Sequence, residues 1–551
     1  MEKVWLKHYP PKVPADINPA EYRSLVEIFD RSCCQFGRRN AFVNMGCGMT
    51  YAELEQMSRA FAAWLQQELG LEKGERVAIM LPNLLQYPVA LFGALRAGLV
   101  VVNVNPLHTP RELEHQLRDS GAKAILILAN FAHVLAAVIE RTEIRTAIVT
   151  EIGDLLSFWK AKVVNLAARH IKKKVPHYAL PNMIGFRETL AGGARLVLRP
   201  VAVTGEDLAF LQYTGGTTGL AMGAMLTHRN LLANIRQIVA WVGSVIHEGE
   251  EIVITALPLH HIFCLTVNCL CFLYFGGLNV LVTNPRDLPL LVREIRPWKF
   301  TVMTGVNALF NALVNNDKFA TLDFSSLRLT VGGGAPMWRT VADRWRTLTG
   351  VPILEGYGLT EAAPAICVNP VDIEDFTGSI GLPLPSTEVQ LRDEAGREVP
   401  PGERGELCAR GPQVMRGYWH RPEETARILR DGWLLTGDIA TMDKQGFFYM
   451  LDHKQDRILV SGFEVFPSEI EQVVVACPGV LEAACIGVPD EKSGAAVKVF
   501  VVPKPEMALT VEAILAHCRQ HLPAHKRPRQ VEFRDGLPKS NIGTILRREL
   551  R

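Results

Sequence analysis

The alternation of apolar and polar positions gives the first third of the chain a clear outline. Thr50-x-x-Glu53 is a capping box, in which a hydroxyl and a carboxylate satisfy free backbone N–H groups at a helix start. It predicts a helix running to residue 70. An apolar run predicts a strand over Arg76–Met80, helical spacing follows over 85–96, and 100–104 reads as a second strand. Thr109-Pro110-x-Glu112 opens a further helix before a third strand over Ala124–Leu128. Strands alternating with helices predict parallel strands joined by crossover helices, and similar alternation recurs through 225–355. The expected fold class is α/β, a large N-terminal domain with parallel sheets. Ligands in such sheets bind in loops at the carboxyl ends of strands. That rule singles out a Gly/Thr-rich stretch after Leu211 and the Gly332-Gly333-Gly334 turn after Val331.

Further on, after Asp438, the pattern changes at Tyr449-Met450-Leu451-Asp452-His453-Lys454-Gln455-Asp456. This charged connector predicts a boundary, with residues 1–452 before a hinge at 453–456 and a compact α+β domain over 457–551.

Two stretches raise the question of a membrane. Residues 262–282 carry no charge and are long enough to cross a bilayer. Asn268, Gly276-Gly277 and Asn279 interrupt them, so a buried helix, a turn and a core strand are predicted instead. Residues 155–175 mix Phe158, Trp159, Val163 and Leu166 with Lys160, Lys162, Arg169 and Lys172-Lys173-Lys174. A solvated surface helix and a peripheral contact with an anionic membrane face both fit that mixture.

Composition narrows the class. A chain of 551 residues is too long for one core and spans several domain-sized units. With 48% hydrophobic and 21% charged residues it is globular, and a net charge of +2 excludes a broad electrostatic claim on nucleic acid. Eleven cysteines without paired C-x-x-C spacing predict reduced thiols and a cytoplasmic setting, with Cys33-Cys34 and Cys269-x-Cys271 as packing residues. The opening Met1-Glu2-Lys3-Val4-Trp5-Leu6-Lys7 has no apolar core of a signal peptide.

The Gly/Thr stretch carries the candidate chemistry. Gln212-Tyr213-Thr214-Gly215-Gly216-Thr217-Thr218-Gly219-Leu220-Ala221-Met222-Gly223 reads as a loop that cradles phosphate, because glycines let backbone N–H groups turn toward an anion and hydroxyls add donors. Its spacing is not that of a P-loop NTPase. Such a loop normally carries a cation at its end, where this chain has the thioether of Met222.

The stretch resembles the signature loop of the adenylate-forming enzymes, which reads Thr-Gly-Gly-Thr-Thr-Gly-x-x-Lys-Gly in that superfamily. Further motifs of the same superfamily follow in order: Gly356-Tyr357-Gly358-Leu359-Thr360-Glu361, Thr436-Gly437-Asp438, Ser461-Gly462-Phe463 and Pro538-Lys539-Ser540-Asn541-Ile542-Gly543. The whole chain looks most like the bacterial long-chain fatty acid–CoA ligases. The resemblance implies a fatty acid, ATP with Mg²⁺, and CoA as reactants, and a small domain that rotates between an adenylation and a thioester pose. It implies that Thr214, Gly215, Gly216, Thr217, Thr218 and Gly219 wrap the phosphates, and that Gly332, Gly333, Gly334, Gly356 and Tyr357 form an adenine slot. Thr360 would touch the α-phosphate, Glu361 would hold Mg²⁺, Asp438 would take the ribose hydroxyls, and His261 would sit beside the acyl carboxylate. Ser461, Gly462 and Phe463 would line the passage for the pantetheine arm of CoA.

The chain departs from this pattern at three cations. Met222 replaces the loop lysine, Thr544 the catalytic lysine that bridges carboxylate and α-phosphate, and His453 the hinge arginine; a histidine is expected to be mostly neutral at pH 7. Losing one preorganised donor costs about 2.7–4 kcal/mol. Lys454, Lys539, Arg547 and Arg548 are the nearby cations that would have to compensate. Three functions stay open: a fatty acid–CoA ligase with impaired adenylation, a catalytically deficient binder of acyl and nucleotide ligands, and a half-reaction enzyme turning acyl-adenylate into acyl-CoA.

Overall fold

The computed structural model describes residues 3–551 apart from 172, 216–220, 461–462, 491–493, 505–506, 508 and 541–542. Both predicted capping boxes form. Thr50 and Glu53 close the start of the helix Tyr51–Gln67, and Thr109 and Glu112 that of Pro110–Ser120, which ends on Gly121 in the left-handed region. The strands Arg76–Met80, Val100–Asn103 and Ala124–Leu128 lie side by side and parallel in a seven-stranded sheet, with Leu208–Gly215 and Ala221–Thr227 at one edge. A nine-stranded sheet is parallel at its centre and antiparallel at both ends; its central strands include Ile252–Thr255, Val302–Gly305, Leu329–Gly332 and Ile353–Gly358. The expected α/β class is observed. The sequence pattern did not reveal a five-stranded sheet that includes Glu388–Arg392, Gly405–Arg410 and Trp433–Met442.

Residues 262–282 fold as predicted into a buried helical segment, a turn and the core strand Leu278–Leu281. Among the described residues no helix is long and apolar enough to cross a membrane. The cysteines are free; Cys33, Cys269 and Cys271 pack in the interior, whereas Cys34, expected to do the same, is exposed.

The connector after Asp438 is more ordered than its charge predicts. Phe448–His453 is a strand paired with Trp433–Met442, and only Lys454–Asp456 forms a short 3-10 turn. From Ile458 onward, buried side chains make cores of their own, built on the strands Val480–Asp490, Gly494–Pro503 and Gln530–Phe533 and the helices Pro467–Val475 and Val511–His521. Apolar alternation in the long strand pair supplies that core, so a small α+β unit follows the large one.

Candidate active site

Two cavities share one wall. An apolar cavity of about 250 Å³ is lined by side chains of His228–Val242 and Cys264–Cys271 and their neighbours, among them Trp241, Phe263, Phe272 and Phe275. A cleft of about 880 Å³ runs between the large part and the small unit and takes in Trp338, Asp438, His453 and Thr544. Gly332, Gly334, Gly356, Tyr357 and Gly358 line both. Two parallel neighbours, Leu329–Gly332 and Ile353–Gly358, end at this wall, which is the carboxyl edge the sequence pattern pointed to. Close approach explains the glycines. A Cβ on Gly332 would lie 2.5 Å from Met337 Cε, one on Gly333 would lie 3.1 Å from the Gly356 carbonyl, and Gly334 has φ +75°.

Thr214, His261, Thr360 and Glu361 face the apolar cavity at that wall. Burial lowers the His261 imidazole to about 4, so it is neutral; the Phe263 N–H donates to Nδ1 at 3.3 Å, which leaves the ring proton on Nε2. Glu361 is buried in the turn Thr360–Ala362 and accepts a hydrogen bond from the Tyr418 hydroxyl at 2.5 Å. Burial pushes its carboxyl above the usual range, with Tyr418 opposing.

The connector holds a clasp. Tyr357, predicted as a flat apolar face, also donates its hydroxyl to Asp438 Oδ2 at 2.5 Å. His453, directly opposite Asp438 on the adjacent strand, bonds its other oxygen. That hydrogen bond, together with the carboxylate charge, raises the His453 imidazolium to about 9 against the effect of burial. The expectation of a mostly neutral histidine is therefore corrected: His453 is a cation at pH 7, because a carboxylate faces it.

Met222 is also placed differently from the expectation of a loop end. Much of the predicted loop is a hairpin in which Thr214 pairs with Met222 and Gly215 with Ala221. Met222 is buried on the face shared with Ala224 and Leu226, inside the main hydrophobic core. The tip residues Gly216, Thr217, Thr218 and Gly219 lie outside the described residues, as do Ser461 and Gly462. Phe463 is exposed and stacks on His525 at 4.9 Å, beside a cavity of about 450 Å³ that also touches Arg404 and Lys526.

The small unit brings Thr544 to the site. Its hydroxyl donates to the Gly334 carbonyl at 3.1 Å, and its backbone is locked to Ser540 by bonds of 3.1 and 2.8 Å. Three of the four neighbouring cations are already committed. Lys454 pairs with Glu406 at 3.0 Å and Lys539 with Glu482 at 2.5 Å, whereas Arg548 is exposed and helps lower the Glu112 carboxyl. Arg547 is enclosed by Asp452, Asp456 and Glu471 at 2.8, 3.2 and 2.7 Å. Glu355, which the sequence reading passed over, lies within the strand Ile353–Gly358 beside Gly356 and lines the cleft. Its Oε2 has no partner among the described residues, and burial pushes its carboxyl up to about 8.

An apolar pocket thus meets a glycine-walled cleft that a separate small unit borders. The sequence pattern of the AMP-binding enzymes matches residues 29–419, and that of the AMP-binding enzyme C-terminal domain matches 469–544. The chain belongs to the AMP-binding enzyme family. It is 60% identical over its full length to a long-chain-fatty-acid–CoA ligase of Salmonella typhimurium, of which it covers 98%. In structure it resembles the anthranilate CoA ligase AuaEII in complex with anthranoyl-AMP, with a TM-score of 0.85, 25% identity and coverage of 97% of this chain and 98% of that one. It also resembles ATP-bound MatB from Rhodopseudomonas palustris, with a TM-score of 0.80, 27% identity and coverage of 96% and 98%.

Proposed function

We propose that the protein is a long-chain fatty acid–CoA ligase whose adenylation step is impaired. The observation that carries the impairment is the neutral Thr544 hydroxyl against the Gly334 carbonyl, at the wall where the acyl pocket meets the cleft. The likeness to ligases over the whole chain supports the reaction class and its reactants, ATP with Mg²⁺, a fatty acid and CoA.

The residues fit these groups. The apolar cavity suits an alkyl chain, and neutral His261 offers an Nε2–H to its carboxylate. Glycine-lined turns leave room for a base beside Tyr357, where the unpartnered oxygen of Glu355 is an edge for it to bond. Asp438 would hold the ribose, sharing its oxygens with Tyr357 and His453. Glu361 would hold Mg²⁺; this ion is commonly bound by one or two carboxylates plus phosphates, so a lone carboxylate at this wall is enough. When bound, Mg²⁺ neutralises phosphate charge. The Phe463 cavity, with Arg404 and Lys526, suits the CoA arm.

In adenylation a carboxylate oxygen attacks the α-phosphorus, the new acyl–phosphate bond forms, and pyrophosphate leaves. Two anions must meet, and the protein's part is to place positive charge between them. At residue 544 this chain offers a dipole only. Boundaries at 453–456 accord with the change of core at Ile458 and the 3-10 turn at Lys454–Asp456. Thr544 would leave the wall when the small unit turns about them. That favours a second reading, an enzyme that makes acyl-CoA efficiently from acyl-adenylate supplied to it.

The test is pyrophosphate exchange with palmitate and ATP, compared between the native chain and Thr544→Lys, alone and with Met222→Lys. Exchange at least ~10²-fold faster in the double variant supports the proposal, and equal exchange overturns it. Palmitoyl-adenylate and CoA form palmitoyl-CoA at similar rates in all three proteins under the second reading.

A further inference from the structure

The helix Phe158–Leu166 has its polarity reversed. A surface helix ordinarily buries its large apolar side chains and turns polar ones outward. Here the small residues Ala161 and Ala168 are buried against the body, while Phe158, Trp159, Val163, Leu166 and Ile171 are 58–75% exposed. At 100° per residue, Phe158, Lys162, Leu166, Trp159 and Val163 follow one another around a single outward stripe. The Lys162 ammonium lies over both aromatic rings, 4.4 Å from the Phe158 centroid and 5.6 Å from that of Trp159. The helix is fixed in this attitude. Asn165 accepts a hydrogen bond from the Gly153 N–H at 2.8 Å, Lys160 bonds the Met45 carbonyl, and a Cβ on Gly153 would lie 2.8 Å from the Ala161 carbonyl oxygen.

Charge along the segment has one sign, and among its described residues only Arg169 is drawn off to an acid outside it, Glu151. Between residues 155 and 187 the sequence contains five lysines and two arginines and no aspartate or glutamate. A helix adapted to water would intersperse both signs. Exposed aromatic and aliphatic groups that rest on the body through small residues, within a segment that is only basic, match a layer that is apolar below and anionic above.

We propose that the outward stripe of Phe158–Leu166, continued by Ile171, Lys173 and Lys174, is a docking surface for the anionic face of a lipid bilayer. The apolar side chains enter the headgroup boundary, Lys162 remains at its level, and Lys173 and Lys174 meet lipid phosphates. The helix lies on the membrane and does not span it.

Co-sedimentation of the full chain with lipid vesicles tests this without reference to catalysis. The native protein should bind vesicles of phosphatidylglycerol and phosphatidylethanolamine at least ~10-fold more tightly than vesicles of phosphatidylcholine, and release as salt rises from ~0.1 M to ~1 M. Phe158→Ser/Trp159→Ser/Val163→Ser/Leu166→Ser should abolish binding to both kinds of vesicle. Lys162→Gln/Lys173→Gln/Lys174→Gln should weaken binding to the anionic vesicles by roughly 10²-fold. Both sets alter exposed side chains, and unchanged unfolding midpoints verify that the variants fold. Native affinity in the serine variant, or equal affinity for both vesicle types, overturns the proposal. So does a native protein that ignores vesicles but forms dimers that the serine variant does not, since the stripe would then join two copies of the chain.

Discussion

The connector before the small unit and the tail loop within it make an instructive pair. In each, the resemblance to the adenylate-forming pattern implies a permanent cation where this chain has His453 in one and Thr544 in the other. At the connector the surroundings restore the charge: Asp438 faces His453 across paired strands and holds its imidazolium up to about 9. At the tail loop they cannot, because a hydroxyl has no proton to gain and Gly334 offers it only a carbonyl. Charge at a site thus belongs to a residue together with its environment, and a titratable substitute is recoverable where a neutral one is not. Glu355 shows the same rule in reverse, as burial pushes an acid up to about 8 and leaves it mostly protonated at pH 7.

The contrast is broken most severely at Arg547. It pairs with three carboxylates at the base of the tail loop, sharing only Asp456 with Arg551, and its side chain is only 12% exposed. Arg547→Ala should destabilise the small unit by about 3–5 kcal/mol, seen as an early transition in chemical denaturation, because it leaves buried charges unpaired. A single unshifted transition would mean that these carboxylates relax without it, and that the arginine is free to reach the site.

Thr544→Lys probes the loop directly. Restored charge should lower the adenylation barrier by about 2.7–4 kcal/mol, measured as pyrophosphate exchange, with little change in thioester formation from supplied acyl-adenylate.

Glu355→Gln sharpens the reverse case. The native carboxyl is raised from 4.5, so its contribution is fully present below that value and lost as pH rises through about 8. Glutamine keeps the neutral shape and should stabilise the protein at pH 7 by on the order of 2 kcal/mol, and remove the decline between pH 5 and 8 from urea unfolding curves.

The smallest effect is at the connector. The His453 value is raised above its ordinary 6.5, so the stability it contributes is fully present below pH 6.5 and disappears as pH rises through about 9. Half of its side chain is open to solvent, which limits the contribution to about 1 kcal/mol. Unfolding free energies of the native chain and His453→Gln should differ at pH 6 and converge near pH 10.

Local patterns were legible where neighbours in sequence are neighbours in space. The two capping boxes, the strands Arg76–Met80 and Ala124–Leu128 and the helix-turn-strand over 262–282 all depend on contacts a few residues apart. The strand ending at Val331 sufficed to name the wall residues Gly332–Gly334, and the motif at 356–361 named Gly356 and Tyr357, since a strand's carboxyl end follows directly from where the strand stops. The charge of His453 was misjudged because its deciding partner, Asp438, lies fifteen positions away. The carboxylates that hold Arg547 were not legible either, since they lie 76 to 95 positions from it.

The sequence by itself therefore determined the α/β class, the family and the chemical identity of residues 222, 453 and 544, including that residue 544 can never be a cation. Only the tertiary structure decided which remaining groups are charged and which cations are already committed. It also decided that Met222 packs in the core, and that the apolar side of Phe158–Leu166 turns outward. A pattern along the chain fixes which residues share a face of a helix or strand. Burial, and the field of groups brought in from elsewhere, fixes where that face points and what charge it bears.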